Sequence, residues 1–438
     1  MTSDSHGGPA RHQLHVLFLQ GPPSRYFEQV ARGLMARGHR VSRINLHFGD
    51  RLFWRLPALD FRAGIDDWQP YIGRFLDENA VTHLMVFGDM RPHHRMAIAE
   101  ARRRQIEVVC AELGYLRPDW VVLERDGIST NSRMPRDPDT IRALARDYPV
   151  PDFTVRFRTP FWRFTALDMI YYLGATICWP LYPGYRRHAI IHPVLEYLLW
   201  GRKLMAAPVE RRRTERALET LRRSAARYFV LPLQLSTDFQ IRAHSPYPDM
   251  ETAAREIIAS FARHADPECR LVVKLHPLDP GLTPWRRLIE RTADEYQATG
   301  RVVFIDGGDL NALLRSAAGC VTVNSTVGLE ALKEGCPLKV LGNAVFDVDG
   351  LTFQGPLDAF WTQTAQPDAT LTQDFIRLLA GAVHIRGGYF TQDALDVAVP
   401  ETVERLANGL PYLPPRGSDQ EPAGDSVSPH TSDGDRQH

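Results

Sequence analysis

Apolar residues fall into two kinds of block along this chain: short unbroken runs, and longer stretches with one apolar face. "LHVLFLQGPP" opens with a run that predicts a buried strand over Leu14–Leu19, stopped by Gly-Pro-Pro. "SRYFEQVARGLMARGH" then has helical spacing. Phe27, Val30, Leu34 and Met35 make one face, Ser24 is placed to cap the start, and Gly38 to end it. "RVSRINL" gives a second strand. A strand–helix–strand unit implies parallel strands joined by a right-handed crossover. "VTHLMVFG", "RMAIAEARRRQ" and "IEVVCAEL" continue the alternation, so residues 13–150 are predicted as one doubly wound, Rossmann-like domain.

The alternation returns more regularly over 226–390. Strands "RYFVLPLQL", "CRLVVKLH", "RVVFID", "GCVTVN" and "PLKVLG" are interleaved with helices such as "DMETAAREIIASFARHA" and "VGLEALKEG". This predicts a second Rossmann-like domain. "PETVERLANGL", within 391–412, reads as a last helix crossing back to the first domain. Residues 1–12 and 413–438 are polar or rich in Pro, Gly, Ser and Asp, and are expected to be disordered.

The stretch between the domains, 151–225, is different. It is rich in aromatic and basic residues and ends in the charged helix "ERRRTERALETLRRSAA". Asp168, Gly174, Pro180 and Pro183 break its apolar run, so no spanning helix is expected. Two readings stand. It is a helical insert packed between domains, or an interfacial surface with Arg186, Arg187, Arg202 and Lys203 near anionic lipid.

Composition narrows the function classes. The chain has 438 residues, enough for two domains. Its 52 Lys and Arg against 52 Asp and Glu give no basic excess, so a nucleic-acid partner is not expected. The five cysteines show no CxxC pair, which argues against a disulfide framework or a structural zinc site and fits a reducing compartment. The start, "MTSDSHGGPARHQ", lacks the apolar core of a secretory signal.

Ligands of such sheets sit beyond the C-terminal ends of the strands, so polar motifs at those ends carry the chemistry. In the second domain these are Gln234 and Asp238 in "QLSTDFQ", Lys274, His276 and Pro277 in "VKLHP", and Asn324, Ser325, Thr326, Gly328 and Glu330 in "NSTVGLE". The last motif places hydroxyls and free N–H groups where a helix starts, an arrangement suited to phosphate. The first domain supplies the facing wall. Gln20, Ser24 and Arg25 follow strand one; Asp89 and Arg91 follow "VTHLMVFG"; Glu112, Tyr115 and Arg117 follow "IEVVCA". Glu112 and Asp89 are the carboxylates positioned to act as a general base, and the arginines suit a sugar carboxylate. There is no GxxxxGK[ST], no GxGxxG after the first strand and no HExxH, so no P-loop, dinucleotide or metal site is expected.

Seven motifs in order, "FLQGPPSRYF", "INLHFGDRLFW", "FGDMRPHHR", "ELGYLRPDWVVLE", "PLQLSTDFQIRAHSPY", "VKLHPLD" and "VNSTVGLEAL", resemble bacterial capsule polysaccharide biosynthesis and export proteins. The resemblance runs from about residue 14 to 390. It implies an α/β, GT-B-like fold, two doubly wound Rossmann-like domains facing a central cleft. It implies an inverting, metal-independent β-Kdo glycosyltransferase that uses CMP-Kdo as donor substrate and needs no cofactor. It implies a phosphatidylglycerol-type lipid acceptor, partners among the capsule assembly and export proteins, and a peripheral place on the cytoplasmic face of the inner membrane. The His-Pro motif and hydroxyl pair that grip the CMP phosphate in relatives correspond to His276–Pro277 and Ser325–Thr326. The relatives' acidic base motif reads Glu112-Leu113-Gly114 here. Two other readings are another CMP- or UDP-sugar enzyme, sialyltransferase-like or epimerase-like, and a non-catalytic export or scaffold protein.

Overall fold

The computed structural model describes residues 13–186, 193–235, 241 and 245–415. The ends expected to be disordered (but for 413–415), Arg187, and Asp238 with its neighbours Ser236, Thr237 and Gln240 lie outside the described residues.

Two sheets organise the chain. The first contains β1 (His15–Phe18), β2 (Arg40–Asn45), β3 (Leu59–Asp60), β4 (His83–Phe87), β5 (Glu107–Leu113) and β6 (Trp120–Arg125). Its connecting helices are α1 (Tyr26–Ala36), α2 (Phe48–Leu52), α3 (Ile65–Glu78) and α4 (Pro92–Arg103), followed by α5 (Pro138–Ala145). The seventh strand, β12 (His384–Arg386), comes from far along the chain, and the order is β12-β6-β5-β4-β1-β2-β3. β1 to β5 run parallel; β6 is antiparallel to both β5 and β12.

The second sheet is all parallel, in the order β11-β10-β7-β8-β9. Its strands are β7 (Tyr228–Pro232), β8 (Arg270–Lys274), β9 (Val302–Ile305), β10 (Gly319–Thr322) and β11 (Leu338–Val340). Its helices include α8 (Met250–His264), α9 (Trp285–Glu295), α10 (Leu310–Ser316) and α11 (Val327–Lys333). The aspartates Asp249 and Asp309 cap α8 and α10 by accepting the N–H of Thr252 (2.7 Å) and Ala312 (3.2 Å). In both sheets the strand order reverses beside the first strand, between β1 and β4 and between β7 and β10. Each reversal opens a crevice at the strand ends.

Three local expectations are corrected. Ser24 is not the cap of α1: Arg25 holds that position, and the Ser24 hydroxyl accepts the Tyr26 N–H at 3.3 Å. Met35 is half exposed and outside the α1 core face. The boundary at residue 390 also moves. The chain from α13 (Ala369–Leu378) onward belongs with the first sheet, after the short α12 (Leu357–Phe360) closes the second unit. α13 packs on α5, β12 pairs with β6, and α14 (Gln392–Asn408) packs on α1. There the Tyr26 and Thr402 hydroxyls bond at 2.6 Å and Val403 fills the space beside Gly33.

β12 also fixes a loop of the first wall. His384 Nδ1 pairs with the Leu379 carbonyl at 2.8 Å. Its Nε2 accepts the N–H groups of Tyr115 (3.0 Å) and Leu116 (3.2 Å), so the ring is neutral. Burial drives its pKa down to about 3.

Residues 151–225 hold two long helices, α6 (Phe161–Ile177) and α7 (Pro193–Ser224). α6 lies against α2 so closely that a Cβ on Gly49 would stand 2.5 Å from the Tyr171 carbonyl oxygen. Tyr171 in turn donates its hydroxyl to buried Asp50 at 2.9 Å. Among the described residues no helix is long and apolar enough to cross a membrane.

Two outcomes follow. Gly49→Ala forces α6 off α2 and costs about 1–3 kcal/mol in urea unfolding; an unchanged midpoint contradicts the close approach. His384 stays neutral in the fold but binds a proton below about pH 6.5 once unfolded. Stability therefore falls as pH drops from about 6.5 towards 3, by up to about 1.4 kcal/mol per unit for this one group. Urea midpoints at successive pH values check this, and a midpoint independent of pH over that range contradicts it.

Candidate functional site

In the second unit, the β7–β10 crevice is bridged by an amide pair. Gln234 Nε2 donates to Asn324 Oδ1 at 2.7 Å, and the Asn324 N–H donates to Gln234 Oε1 at 3.1 Å. The bridge fixes the start of the "NST" turn. There the Ser325 N–H donates to Thr322 Oγ1 (3.2 Å), and Ser325 Oγ accepts the Val327 N–H (3.2 Å). The Thr326 side chain does not cap α11. Gly328 has a packing reason: a Cβ there would lie 2.3 Å from the Phe346 ring. Glu330 is paired with Lys333 at 2.9 Å.

β8 ends beside this crevice. His276 Nδ1 accepts the Leu278 N–H at 3.1 Å, which leaves the ring proton on Nε2. Burial, then the charges of Arg117, Lys203 and Lys274, pushes its pKa down to about 4. His276 is thus a neutral N–H donor at pH 7. Lys274 is buried at the end of β8, where its carbonyl accepts the Leu233 N–H at 2.8 Å; burial also lowers its pKa. Pro277 lies three residues past the end of β8, and its carbonyl accepts from Lys203 of α7 at 3.1 Å. Lys203 also reaches the Asp279 carbonyl at 2.6 Å, and Arg202 the Gly281 carbonyl at 2.8 Å. The insert helix therefore holds the His276 loop.

On the first wall the structure separates the two candidate bases. Asp89 Oδ2 accepts Ile128 N–H (3.1 Å) and Asn131 Nδ2 (2.9 Å) of the 128–131 turn, while its buried Oδ1 has no partner. Glu112 Oε1 accepts its neighbour Leu113 N–H at 2.9 Å, and Oε2 lies beside Gly88. Burial raises the Glu112 pKa, against the pull of Leu113 N–H, Arg91 and Arg117. Arg91 packs over Phe87 at 5.6 Å, and its buried Nη1 has no partner. Burial opposes its charge, yet Tyr171, Tyr172, Tyr185 and Glu112 hold its pKa up. Gln20 donates to the Tyr185 hydroxyl at 3.2 Å, and Tyr185 stacks on His93 at 5.6 Å.

Other expected residues face elsewhere. Tyr115 is buried, with its hydroxyl given to Glu124 (2.8 Å) and accepting the Ser129 N–H (2.8 Å). Arg25 is tied to Glu28 at 2.7 Å. Arg117 bonds the Gly114 carbonyl at 3.3 Å, and its charge acts on both Glu112 and His276.

The sequence reading missed a group on the insert. Asp168 of α6 faces Glu196 of α7; burial, then Glu196, raises its pKa to about 7. Burial pushes the Tyr172 pKa up to about 12, and the hydroxyl feels the charges of Arg91, Asp168, Glu196 and Glu112. Among the described residues no group of His, Cys, Asp and Glu could hold a metal ion.

A family model described as capsule polysaccharide biosynthesis protein matches residues 82–390. The capsule polysaccharide export protein KpsS of Escherichia coli is 34% identical over 382 residues, 85% of this chain and 96% of that protein. The capsule polysaccharide modification protein LipB of Neisseria meningitidis serogroup A is 29% identical over 391 residues, 86% and 92% of the two chains. Among solved structures, KpsC of Thermosulfurimonas dismutans, a beta Kdo 2,7 transferase, aligns with a TM-score of 0.44 at 15% identity, covering 91% of this chain and 99% of that one. On the matched model and the long relative at 34% identity, the chain belongs to the capsule polysaccharide biosynthesis protein family.

Proposed function

We propose that the protein is an inverting glycosyltransferase that moves Kdo from CMP-Kdo to a phosphatidylglycerol-type lipid acceptor, priming the capsule linker at the inner-membrane surface. The observation that carries this reading is the pairing of walls around Arg117. A neutral His276 with buried Lys274 stands on one side, and Glu112 with Arg91 on the other. Family membership supports it.

In this reading the donor phosphate lies in the β7–β10 crevice, within reach of His276 Nε2–H, Lys274 and the Ser325–Thr326 turn. Arg91, with its unpartnered Nη1, takes the sugar carboxylate. Glu112 removes the proton from the acceptor hydroxyl. The acceptor oxygen then attacks the anomeric carbon from the face opposite the phosphate. The new C–O bond forms as the bond from that carbon to the phosphate oxygen breaks, and CMP leaves with the electron pair. His276 donates a hydrogen bond to the departing phosphate, and Lys274 balances its charge, with no metal ion in the scheme.

Mass analysis of products from CMP-Kdo and lyso-phosphatidylglycerol tests this directly. The expected product is the acceptor plus one or more Kdo residues. His276→Ala is expected to lower kcat/KM by about 10²–10³ with the fold intact. Product from a CMP-sialic acid or a UDP-sugar in place of CMP-Kdo contradicts the donor. Undiminished turnover in His276→Ala contradicts the site.

The base has a pH signature. Glu112 works only when deprotonated, so kcat/KM rises with pH through its pKa, above the ordinary carboxylate range because burial raises it. Glu112→Gln removes that limb. A profile with the limb at the ordinary carboxylate value, or still present in Glu112→Gln, contradicts the role.

A further inference from the structure

The first wall is built partly from outside the first unit. Tyr185 belongs to the insert, yet its ring lies among the strand ends of the first sheet. It meets the His47 ring edge-on at 4.6 Å, where the chain passes from β2 into α2. It stacks on the His93 ring of α4 at 5.6 Å, with the planes 18° apart. Its hydroxyl accepts the Gln20 Nε2–H at 3.2 Å, just past β1. One side chain thus touches the chain beyond β1, β2 and β4, three adjacent strands at the first crevice. Gln20, His47 and His93 are all buried, so these contacts set orientation as well as bury area.

The loop that carries the ring is itself fixed. "LYPGYR" turns at Pro183-Gly184, and a Cβ on Gly184 would stand 2.0 Å from the Ala63 carbonyl oxygen. Only glycine lets the loop lie this close to the chain before α3. The Gly184 N–H reaches the Arg62 carbonyl at 3.3 Å, and the Tyr185 N–H the Tyr182 carbonyl at 3.1 Å. The Tyr182 hydroxyl donates to Asp60 at 2.7 Å. Arg91 stands at the other end of this arrangement. It immediately precedes α4, two residues before His93. Tyr171, Tyr172 and Tyr185, all from the insert, are close enough to act on its charge. Its buried Nη1 has no partner among the described residues, so what packs around the guanidinium aims it.

We infer that Tyr185 is a positioning residue of the first wall: its ring sets the start of α4, and with it Arg91, and its hydroxyl sets Gln20. The wall that meets the donor sugar is therefore incomplete without the insert. A guanidinium takes a carboxylate well only when its fork is aimed at the two oxygens, so placement decides how strongly Arg91 selects an acidic sugar. Removing the ring leaves His93 unstacked and takes the acceptor from Gln20, both at buried positions. The contacts of Tyr185 named here all lie in the first unit, so the nucleotide part of the donor, held in the second, keeps its own site. The placement stands on these contacts alone; its effect on turnover rests on the glycosyltransferase reading above.

Titration of CMP and turnover of CMP-Kdo, both with the full chain, separate nucleotide from sugar. Tyr185→Ala is expected to bind CMP as wild type does while kcat/KM for CMP-Kdo falls about 10²-fold, the cost of about 1 Å of misplacement. Tyr185→Phe keeps the ring and is expected to recover most of that loss. Gly184→Ala pushes the loop off Ala63 with the tyrosine intact and is expected to act like Tyr185→Ala, so the outcome does not hang on one variant's folding. Hydrogen exchange reads the placement without turnover. The Arg95 N–H, bonded to the Arg91 carbonyl at 2.9 Å, is expected to exchange about tenfold faster in Tyr185→Ala, with α8 and α9 of the second unit unchanged. Unchanged exchange at Arg95, a loss shared equally by CMP binding and CMP-Kdo turnover, or a Tyr185→Phe no better than Tyr185→Ala overturns the inference. Failure of the two readings looks different. Faster exchange at Arg95 in a protein that makes no Kdo product removes the function and keeps the positioning role. Kdo transfer at the wild-type rate by Tyr185→Ala, with unchanged exchange, does the reverse.

Discussion

Parallel strands must send all their C-terminal ends to one edge of a sheet, and everything else in this molecule depends on that constraint. The chain meets it twice. In each sheet the order reverses beside the first strand, between β1 and β4 and between β7 and β10. The reversal leaves a crevice where the chains leaving the two paired strands turn to opposite faces of the sheet. In the second unit the Gln234–Asn324 amide pair closes that crevice at its base and sets the turn above it. In the first, Gln20 and Arg91 stand at the corresponding place. The groups proposed to react are strand-end residues, the positions that face the crevice.

Two ties hold the walls in register. The chain's C-terminal stretch returns to the first unit, where His384 fixes the backbone at Tyr115 and Leu116, three and four residues past Glu112. The insert helix α7 grips the 277–281 loop beside His276 with lysine and arginine donors on backbone carbonyls. Each wall's key side chain is thus positioned by a segment distant in sequence. The ties differ in kind. His384 is buried and neutral and forms part of a strand, whereas Lys203 and Arg202 are at or near the surface, on a helix whose other side carries exposed leucine and methionine.

Much of this was legible before any coordinates. Runs such as "LVVKL" and "GCVTV" state their strands, and a Pro or polar turn after each states where the strand ends. His276, Lys274 and Asn324 could therefore be placed at strand tips. What the sequence withheld has physical reasons. β12 is three residues long, too short for any periodicity, and its partner β6 lies more than 250 residues away. Strand-end position also does not say which way a side chain turns. Tyr115 goes inward to Glu124, and Asp89 gives Oδ2 to the 128–131 turn while its buried Oδ1 has no partner; Glu112 turns Oε2 towards Gly88. Asp168 read as a break in an apolar run, because its pairing with Glu196 depends on how α7 runs back past α6.

The account divides the work between walls, donor on the His276 side and proton removal on the Glu112 side. Calorimetric titration of CMP into wild type, His276→Ala and Glu112→Gln tests that division most directly. The account predicts that Glu112→Gln binds CMP as tightly as wild type and that His276→Ala binds it about tenfold more weakly or worse, a loss of about 1.4 kcal/mol. Equal CMP affinity in wild type and His276→Ala, or a loss of affinity confined to Glu112→Gln, contradicts it.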